Sequence, residues 1–170
     1  MAHDVRLVLL CGTSFSGKST AARVVAPRLG GSVVSLDEIN ERRGLWGGDG
    51  IPGEEWVRTH EIASAEVREL LASGTSVVVD DTSSPRFLRD GWRSLAAEAG
   101  AGFTLIYVDV DHDTIRRRRA DNRISLGRRD VADAVLEQHL ADFEPPQADE
   151  DAVRVESAED LKYFMNNLLK

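Results

Sequence analysis

Val5-Arg6-Leu7-Val8-Leu9-Leu10-Cys11, continuing into Gly12-Thr13-Ser14-Phe15-Ser16-Gly17-Lys18-Ser19-Thr20, decides the architecture of this chain. The first segment is a nearly continuous apolar run that stops at glycine, the pattern of a strand covered on both faces in a parallel sheet. The residues from Gly12 to Ser19 satisfy GxxxxGK[ST] in full, and Ala21, Ala22, Val24, Val25 and Leu29 supply the apolar stripe of a following helix that Gly30 is placed to end. Strand, glycine loop and helix in that order is the context the motif requires. Glycine lets the loop wrap so that backbone N–H groups converge, and the helix adds the positive end of its dipole. Gly12, Thr13, Ser14, Phe15, Ser16, Gly17, Lys18, Ser19 and Thr20 are therefore expected to cradle a polyphosphate. Lys18 would bridge the outer phosphates and the Ser19 hydroxyl would ligate Mg2+.

Working outward, further strands are read at Ser32 to Leu36, Ser76 to Asp80, Phe103 to Val110 and, more weakly, Val153 to Val155, with helical pattern between them. This alternation predicts an α/β fold with a parallel sheet. Trp56, His60, Ala63, Val67 and Leu70 recur at helical spacing, as do Leu88, Trp92, Leu95 and Ala99, and Leu161, Phe164, Met165, Leu168 and Leu169. Asp130 with Asp133, and Ser157 with Asp160, read as acidic capping boxes. Gly44 to Gly53 is rich in glycine and reads as a mobile loop.

The whole chain has 170 residues, a formal net charge of −8, 42% apolar residues and one cysteine. That length fits a single domain over 1–170 and leaves no room for a second large module. One thiol makes no internal disulfide, and the N-terminus lacks a basic segment followed by a cleavable apolar stretch, so a cytoplasmic location is expected. No apolar run approaches the ~20 residues needed to span a bilayer, so no membrane partner is expected. The acidic balance argues against a general nucleic-acid binder.

Three further places carry candidate chemistry. Asp37 follows the second strand and is expected at the C-terminal edge of the sheet beside the cradle, where a carboxylate can take a hydroxyl proton. The third strand ends in Asp80-Asp81, the apolar-run-then-carboxylate form that holds Mg2+ or its water ligands. Side chains alternate along a strand, so the two should not point the same way, and the sequence does not choose between them. The third place is the arginine segment Arg116, Arg117, Arg118, Arg119, Arg123, Arg128 and Arg129, which reads as a lid over about 116–130. On a helix, Arg116, Arg119 and Arg123 share a face and Arg117 and Arg118 point elsewhere. A switch GTPase would show DxxG and NKxD patterns, which are absent, and an AAA+ or ABC motor needs more chain than remains.

Taken together, GTSFSGKST, the strand-end Asp37, VVVDDTSSPRFLRD and RRRRADNRISLGRRDV resemble the P-loop kinase group that contains polynucleotide kinases and zeta-toxin-like kinases. The resemblance covers about three quarters of the chain. It implies a P-loop NTPase three-layer α/β/α fold with strand order 2-3-1-4-5, ATP as donor and a hydroxyl as acceptor. It makes Lys18 and Ser19 the phosphate and Mg2+ residues, Asp37 the general base, and Arg119 and Arg123 the lid arginines that act on the donor phosphates. Asp81-Thr82 resembles the Asp-Thr pair after the third strand of polynucleotide kinases. Those enzymes commonly carry an arginine three residues after the catalytic aspartate, for an acceptor phosphate; this chain has Asn40 there, with Arg42 and Arg43 off register.

The acceptor side is expected from about 40–56, with Asp37, Asn40, Arg43, Trp46, Asp81 and Thr82 around the substrate. Trp46 could stack on a base or sugar, or simply anchor its loop. His60 reads as a packed helix residue, Cys11 as a small buried apolar one, and His3, His112 and His139 lack metal-ligand spacing. The leading expectation is a Mg2+- and ATP-dependent kinase acting on a metabolite, nucleoside or antibiotic-like alcohol. A polynucleotide 5'-hydroxyl kinase and an ATP-binding regulator that transfers nothing are the alternatives.

Overall fold

The computed structural model describes residues 4–125, 127 and 130–168. Leu126, Arg128 and Arg129 of the expected lid, and His3 and Leu169, lie outside the described residues. Five parallel strands, β1 (Arg6–Cys11), β2 (Ser32–Ser35), β3 (Val77–Asp80), β4 (Gly102–Val108) and β5 (Val153–Val155), form one sheet in the order β2-β3-β1-β4-β5. This is the order the family resemblance implied.

Alternation along β1 divides the core. Leu7, Leu9 and Cys11 pack with Val77, Val79 and Leu105 against one helical layer, whereas Val8 and Leu10 pack with Val78 and Ile106 against the other. All five β1 residues from Leu7 to Cys11 are fully buried, which is why the run reads as continuously apolar. Helices α2 (Leu36–Arg42), α3 (Gly53–Ala72) and α4 (Arg86–Glu98) cover the first face through Ile39, Ala63, Val67, Trp92 and Leu95. Helices α1 (Lys18–Arg28) and α7 (Ala158–Leu168) cover the second through Ala22, Val25, Leu161 and Met165. The result is the three-layer α/β/α arrangement.

Two more helices, α5 (His112–Ser125) and α6 (Asp133–Asp142), stand at the C-terminal edge of the strands. A separate small core holds them there: Ile115 from α5, Leu136 and Leu140 from α6, and Val131 between them close on Phe15 of the glycine loop. Ser157 caps the last helix as expected, accepting from the Asp160 N–H at 3.1 Å. Asp130 does not cap α6, whose N-cap is Ala132 with no side-chain bond. The Asp130 carboxylate instead accepts from Arg123 Nε at 3.0 Å, because the turn before α6 is spent closing onto α5. Gly44 to Gly53 contains a short 3-10 turn at Gly47–Asp49 that the expectation of an irregular loop omitted. That turn is pinned from above, with the Ala132 N–H donating to Gly48 O at 3.0 Å.

Candidate active site

The glycine loop bends because two residues take left-handed backbone, Phe15 at φ 62 and Gly17 at φ 101. Gly17 is the N-cap of α1, yet no side chain caps that terminus and its first turn holds no acidic residue. The N–H groups of a helix's first turn point out along its axis, so α1 turns its positive end toward the space in front of the loop, where an anion can meet it. α2 shows the contrast: Ser35 Oγ accepts from the Glu38 N–H, and Asp37 and Glu38 occupy its first turn. Lys18 Nζ donates to Thr13 O at 2.8 Å, which folds the ammonium back over the loop it serves.

At the end of β3, Asp80 is buried and accepts from Ser19 Oγ at 2.8 Å. Asp81 faces the other way, as strand alternation requires. Its Oδ2 accepts from the Ser83 N–H at 3.2 Å and lies 3.8 Å from His60 Nε2 on α3. Burial pushes the Asp81 carboxyl above its ordinary range, against the pull of His60 and two backbone donors. Thr82 ties this turn to the cradle, its carbonyl accepting from the Gly12 N–H at 3.1 Å.

An open cleft of about 2230 Å³ runs over the C-terminal ends of the strands. Ser14 to Thr20 of the cradle, Asp37, Trp46, Asp80, Asp81 and Thr82 all line it, so most of the expected site residues meet in one space. Asp37 is exposed in the first turn of α2, one residue beyond the start of the helix, because β2 ends at Ser35. It is therefore a helix residue and does not cap α2, a role that Ser35 takes.

Four expected residues outside the cradle do not line the cleft. Asn40 is buried, with its Oδ1 accepting from Thr59 Oγ1 in the seam between α2 and α3. Arg43 crosses the same seam and donates to Glu55 O at 2.8 Å and Thr59 Oγ1 at 2.7 Å, with its other nitrogen on the Glu55 carboxylate. Both are held by α2–α3 packing, which corrects their placement around the substrate. Arg119 is buried under the lid region, with Nε on Val131 O at 2.9 Å and Nη1 on Asp133. Arg123 pairs with Asp130 and Asp133. These two arginines close the α5–α6 connection on itself and do not reach over the cradle.

Three residues that the sequence reading passed over stand at the site. Arg118, assigned to the face pointing elsewhere, donates from Nη1 to Phe15 O at 2.9 Å and Ser16 O at 3.1 Å, gripping the cradle from α5. His139 of α6 places Nδ1 3.4 Å from Ser14 Oγ. Burial, with the Lys18 charge nearby, brings the His139 imidazole down to about 4, so it is neutral near pH 7. His60 lines the cleft beside Asp81 and lies 6.1 Å from the Trp92 ring. Cys11 is inert by contrast: burial pushes its thiol up to about 12. Among the described residues no group of His, Cys, Asp and Glu makes a metal cluster by protein ligands alone, and no helix is long and apolar enough to cross a membrane.

The family model AAA_33, described as an AAA domain, matches residues 7–146, from β1 through the end of α6. The chain belongs to the AAA_33 family. An uncharacterized protein of Mycobacterium tuberculosis (strain ATCC 25618 / H37Rv) is 34% identical over 132 residues, which is 69% of this chain and 26% of that protein. The chain thus spans about a quarter of the length of the curated relatives it matches. Among solved structures, it is similar to the Mycobacterium tuberculosis APS kinase CysC in complex with AMPPNP and APS, with TM-score 0.72, 18% identity and coverage of 98% and 99% of the two chains. It is also similar to Kti12 of Chaetomium thermophilum in complex with ADP-AlF3 (TM-score 0.75, 16% identity, 95% and 96% covered). A gluconokinase from Sinorhizobium meliloti 1021 follows at TM-score 0.64, 20% identity and coverage of 99% and 97%. At these identities the likenesses establish that this AAA_33 member has the fold of P-loop kinases.

Proposed function

We propose that this protein is an ATP- and Mg2+-dependent phosphotransferase whose acceptor is a hydroxyl of a small molecule. One observation carries the reading: the uncapped N-terminus of α1, with Lys18 and the Ser19–Asp80 bond, opens into the same cleft as Asp37 across the tip of β2. The donor set fits a nucleotide and its metal. The first-turn amides of α1 and Lys18 would hold phosphate, Ser19 Oγ would ligate Mg2+, and Asp80 would anchor it through that hydroxyl or a water. Bound Mg2+ would neutralise charge on the phosphates.

In this reading Asp37 orients the acceptor hydroxyl and accepts its proton as the oxygen bonds to the γ-phosphorus and the bond to the bridging oxygen of ADP breaks. Lys18 stabilises the charge that develops. Arg118 keeps the cradle in shape by holding two of its carbonyls. The commitment of Arg43 to Glu55 and Thr59, and of Asn40 to Thr59, counts against the polynucleotide alternative.

The test is consumption of ATP by the purified chain with Mg2+ and fractionated metabolite pools, followed by mass analysis for a gained phosphoryl group. Lys18→Ala should abolish transfer. Asp37→Asn should lower turnover by roughly 10^2 to 10^4 with ATP affinity little changed. Unaltered turnover in Asp37→Asn would remove that residue from its role, and tight ATP binding without consumption under any acceptor would favour the regulator reading.

A further inference from the structure

Strand register brings a second polar pair to the neighbourhood of Asp37. β2 and β3 run in parallel with Ser35 opposite Asp80, so the segments carrying Asp37 and Asp81 leave the sheet at adjacent strand ends, where strands lie about 4.8 Å apart. Asp80 turns to Ser19 and the cradle, whereas Asp81 turns to α3 and His60. Asp37, His60 and Asp81 all line the same cleft. His60 Nε2 and Asp81 Oδ2 are 3.8 Å apart, and their side chains are 20% and 9% exposed, open enough to meet a ligand and dry enough to gain from it.

We infer that this pair is a clasp for a hydroxyl of the acceptor other than the one that reacts, so that the acceptor is a polyol and His60 and Asp81 help to select it. The inference rests on the phosphotransferase reading and adds the class of acceptor to it.

The first support is the gap. A separation of 3.8 Å is too long for a hydrogen bond between the two groups, while a single oxygen about 2.8 Å from each fits between them. The two sides make opposite demands on that oxygen. An imidazole N–H donates, in the cationic form and in the neutral tautomer protonated at Nε2, and a carboxylate accepts. An alcohol oxygen meets both demands at once; an ether or ketone oxygen only accepts, and an ammonium only donates. Water meets them too, and an acceptor hydroxyl that reproduces both bonds displaces it at little cost.

The second support is that both sides of the gap are held from behind. Asp81 Oδ2 accepts from the Ser83 N–H at 3.2 Å. Ser83 is a buried non-glycine residue at φ 54, fixed by its Oγ on Leu10 O at 2.8 Å and by Arg89 Nη1 on its carbonyl at 2.9 Å. Such left-handed positions persist only where their surroundings over-determine them, and they cluster at ligand sites. On the other side Thr59, fully buried and next to His60, donates to Asn40 Oδ1 and accepts from Arg43 Nη1 at 2.7 Å. These bonds tie the His60 turn of α3 to α2, the helix that carries Asp37. The buried Trp92 ring lies 6.1 Å from the imidazole on the core side. A pair fixed in this way is ordered before the ligand arrives, so little is lost in ordering it on binding.

The experiment uses the full chain with Mg2+ and a non-hydrolysable ATP analogue saturating the donor side. The probes are myo-inositol, which offers pairs of hydroxyls at every spacing around one ring, and erythritol, which offers them along a flexible chain. Affinity is measured by calorimetry and ligand-observed NMR, and occupancy of the clasp by the 15N shifts of the His60 imidazole. At least one polyol should bind saturably and move the His60 signals. His60→Phe should then weaken that polyol about tenfold or more, the worth of a hydrogen bond within a charged pair, while the ATP analogue keeps its affinity to within about threefold. His60→Gln, which retains an N–H, should bind the polyol to within about threefold of the parent, and Asp81→Asn should weaken it. No saturable binding by either polyol, His60 signals unmoved at saturation, an affinity that His60→Phe leaves intact, or a loss that the ATP analogue shares would each overturn the inference. Its failure is separable from failure of the phosphotransferase reading. Efficient phosphorylation of an alcohol with a single hydroxyl would overturn the clasp and leave the reaction standing, while polyol binding that depends on His60, without phosphoryl transfer to any acceptor, would do the reverse.

Discussion

Arg89→Met is expected to cost this protein about 3–5 kcal/mol of stability. Arg89 and Glu150 are 0% and 1% exposed at their side chains. The guanidinium makes four bonds: Nε and Nη2 to the two Glu150 oxygens at 2.7 and 2.9 Å, and Nη1 to Ser83 O and Glu144 O, both at 2.9 Å. Methionine fills much of the volume but leaves a buried carboxylate whose remaining donor is the Gln147 N–H at 2.7 Å, together with two carbonyls that lose a partner. At roughly 2–4 °C per kcal/mol for a chain of this size, the midpoint of thermal unfolding should fall by about 6–20 °C. Removing both charges, in Arg89→Met with Glu150→Met, should recover most of that loss, since the penalty comes from the stranded anion. The pH dependence follows from the same pair. Arg89 hydrogen bonding holds the Glu150 carboxyl below its ordinary value, so the folded state gains stability above the unfolded value near 4.5 and loses it as pH falls through the folded one. The gap between parent and Arg89→Met should therefore narrow in acid. Circular dichroism melts of the three proteins at neutral and acid pH read all of this. A single variant that melts within about 2 °C of the parent at neutral pH would refute the reasoning.

Other expectations follow from the site. Arg118→Ala should weaken ATP binding about two- to tenfold, the worth of ordinary hydrogen bonds at a part-buried position, with calorimetric titration as the measurement and unaltered affinity as the contrary result. Because the folded His139 imidazole titrates near 4 and the unfolded one near 6.5, the unfolded chain binds the extra proton between those values. Stability should thus fall on acidification across that window, by up to about 1.4 kcal/mol per pH unit, and His139→Gln should flatten it. Arg119→Ala should lower the melting temperature through a loss of about 1.5–3 kcal/mol, whereas Arg123→Ala, on an exposed pair, should change stability by about 1 kcal/mol or less. A thousandfold fall in turnover with an unshifted melt in Arg119→Ala would return that arginine to the phosphates.

What the sequence made legible was set by which signals are local. The cradle was readable residue by residue because its geometry depends on glycines and amides within one loop, and β1 was readable because a strand buried on both faces has no polar positions to confuse its pattern. The four displaced residues share a different physics. Arginine and asparagine are ordinarily placed toward solvent or ligand, yet here Arg43 and Asn40 satisfy a seam between two helices, and no local pattern announces a partner such as Thr59, nineteen residues from Asn40. In α5 a signal was available. The residues buried on that helix are Ile115, Arg119 and Asn122, spaced four and three apart, and Ile115 alone marks that stripe as the inward one. Grouping Arg116, Arg119 and Arg123 on one face located the stripe only to within its width, which turned Arg118 away from the cradle it grips.

His60 shows the same limit along the helix axis. Its spacing from Trp56, Ala63 and Val67 correctly put it on the buried stripe of α3, and Ala63 and Val67 are fully buried there. In a parallel α/β sheet, however, each crossover helix runs back against its strands, so the first turns of α3 stand at the C-terminal edge, where the core layer gives way to the cleft. A residue in phase with the core but two turns from the helix start is therefore at the boundary between packing and chemistry. Periodicity gives the face of a helix, and only the sheet topology gives the depth. Combining the two moves His60 from the core to the cleft wall, 3.8 Å from Asp81, without any homologous sequence. Applied to α6, the same combination has no strand to fix its depth, so the place of His139 beside Ser14 is not legible in its spacing.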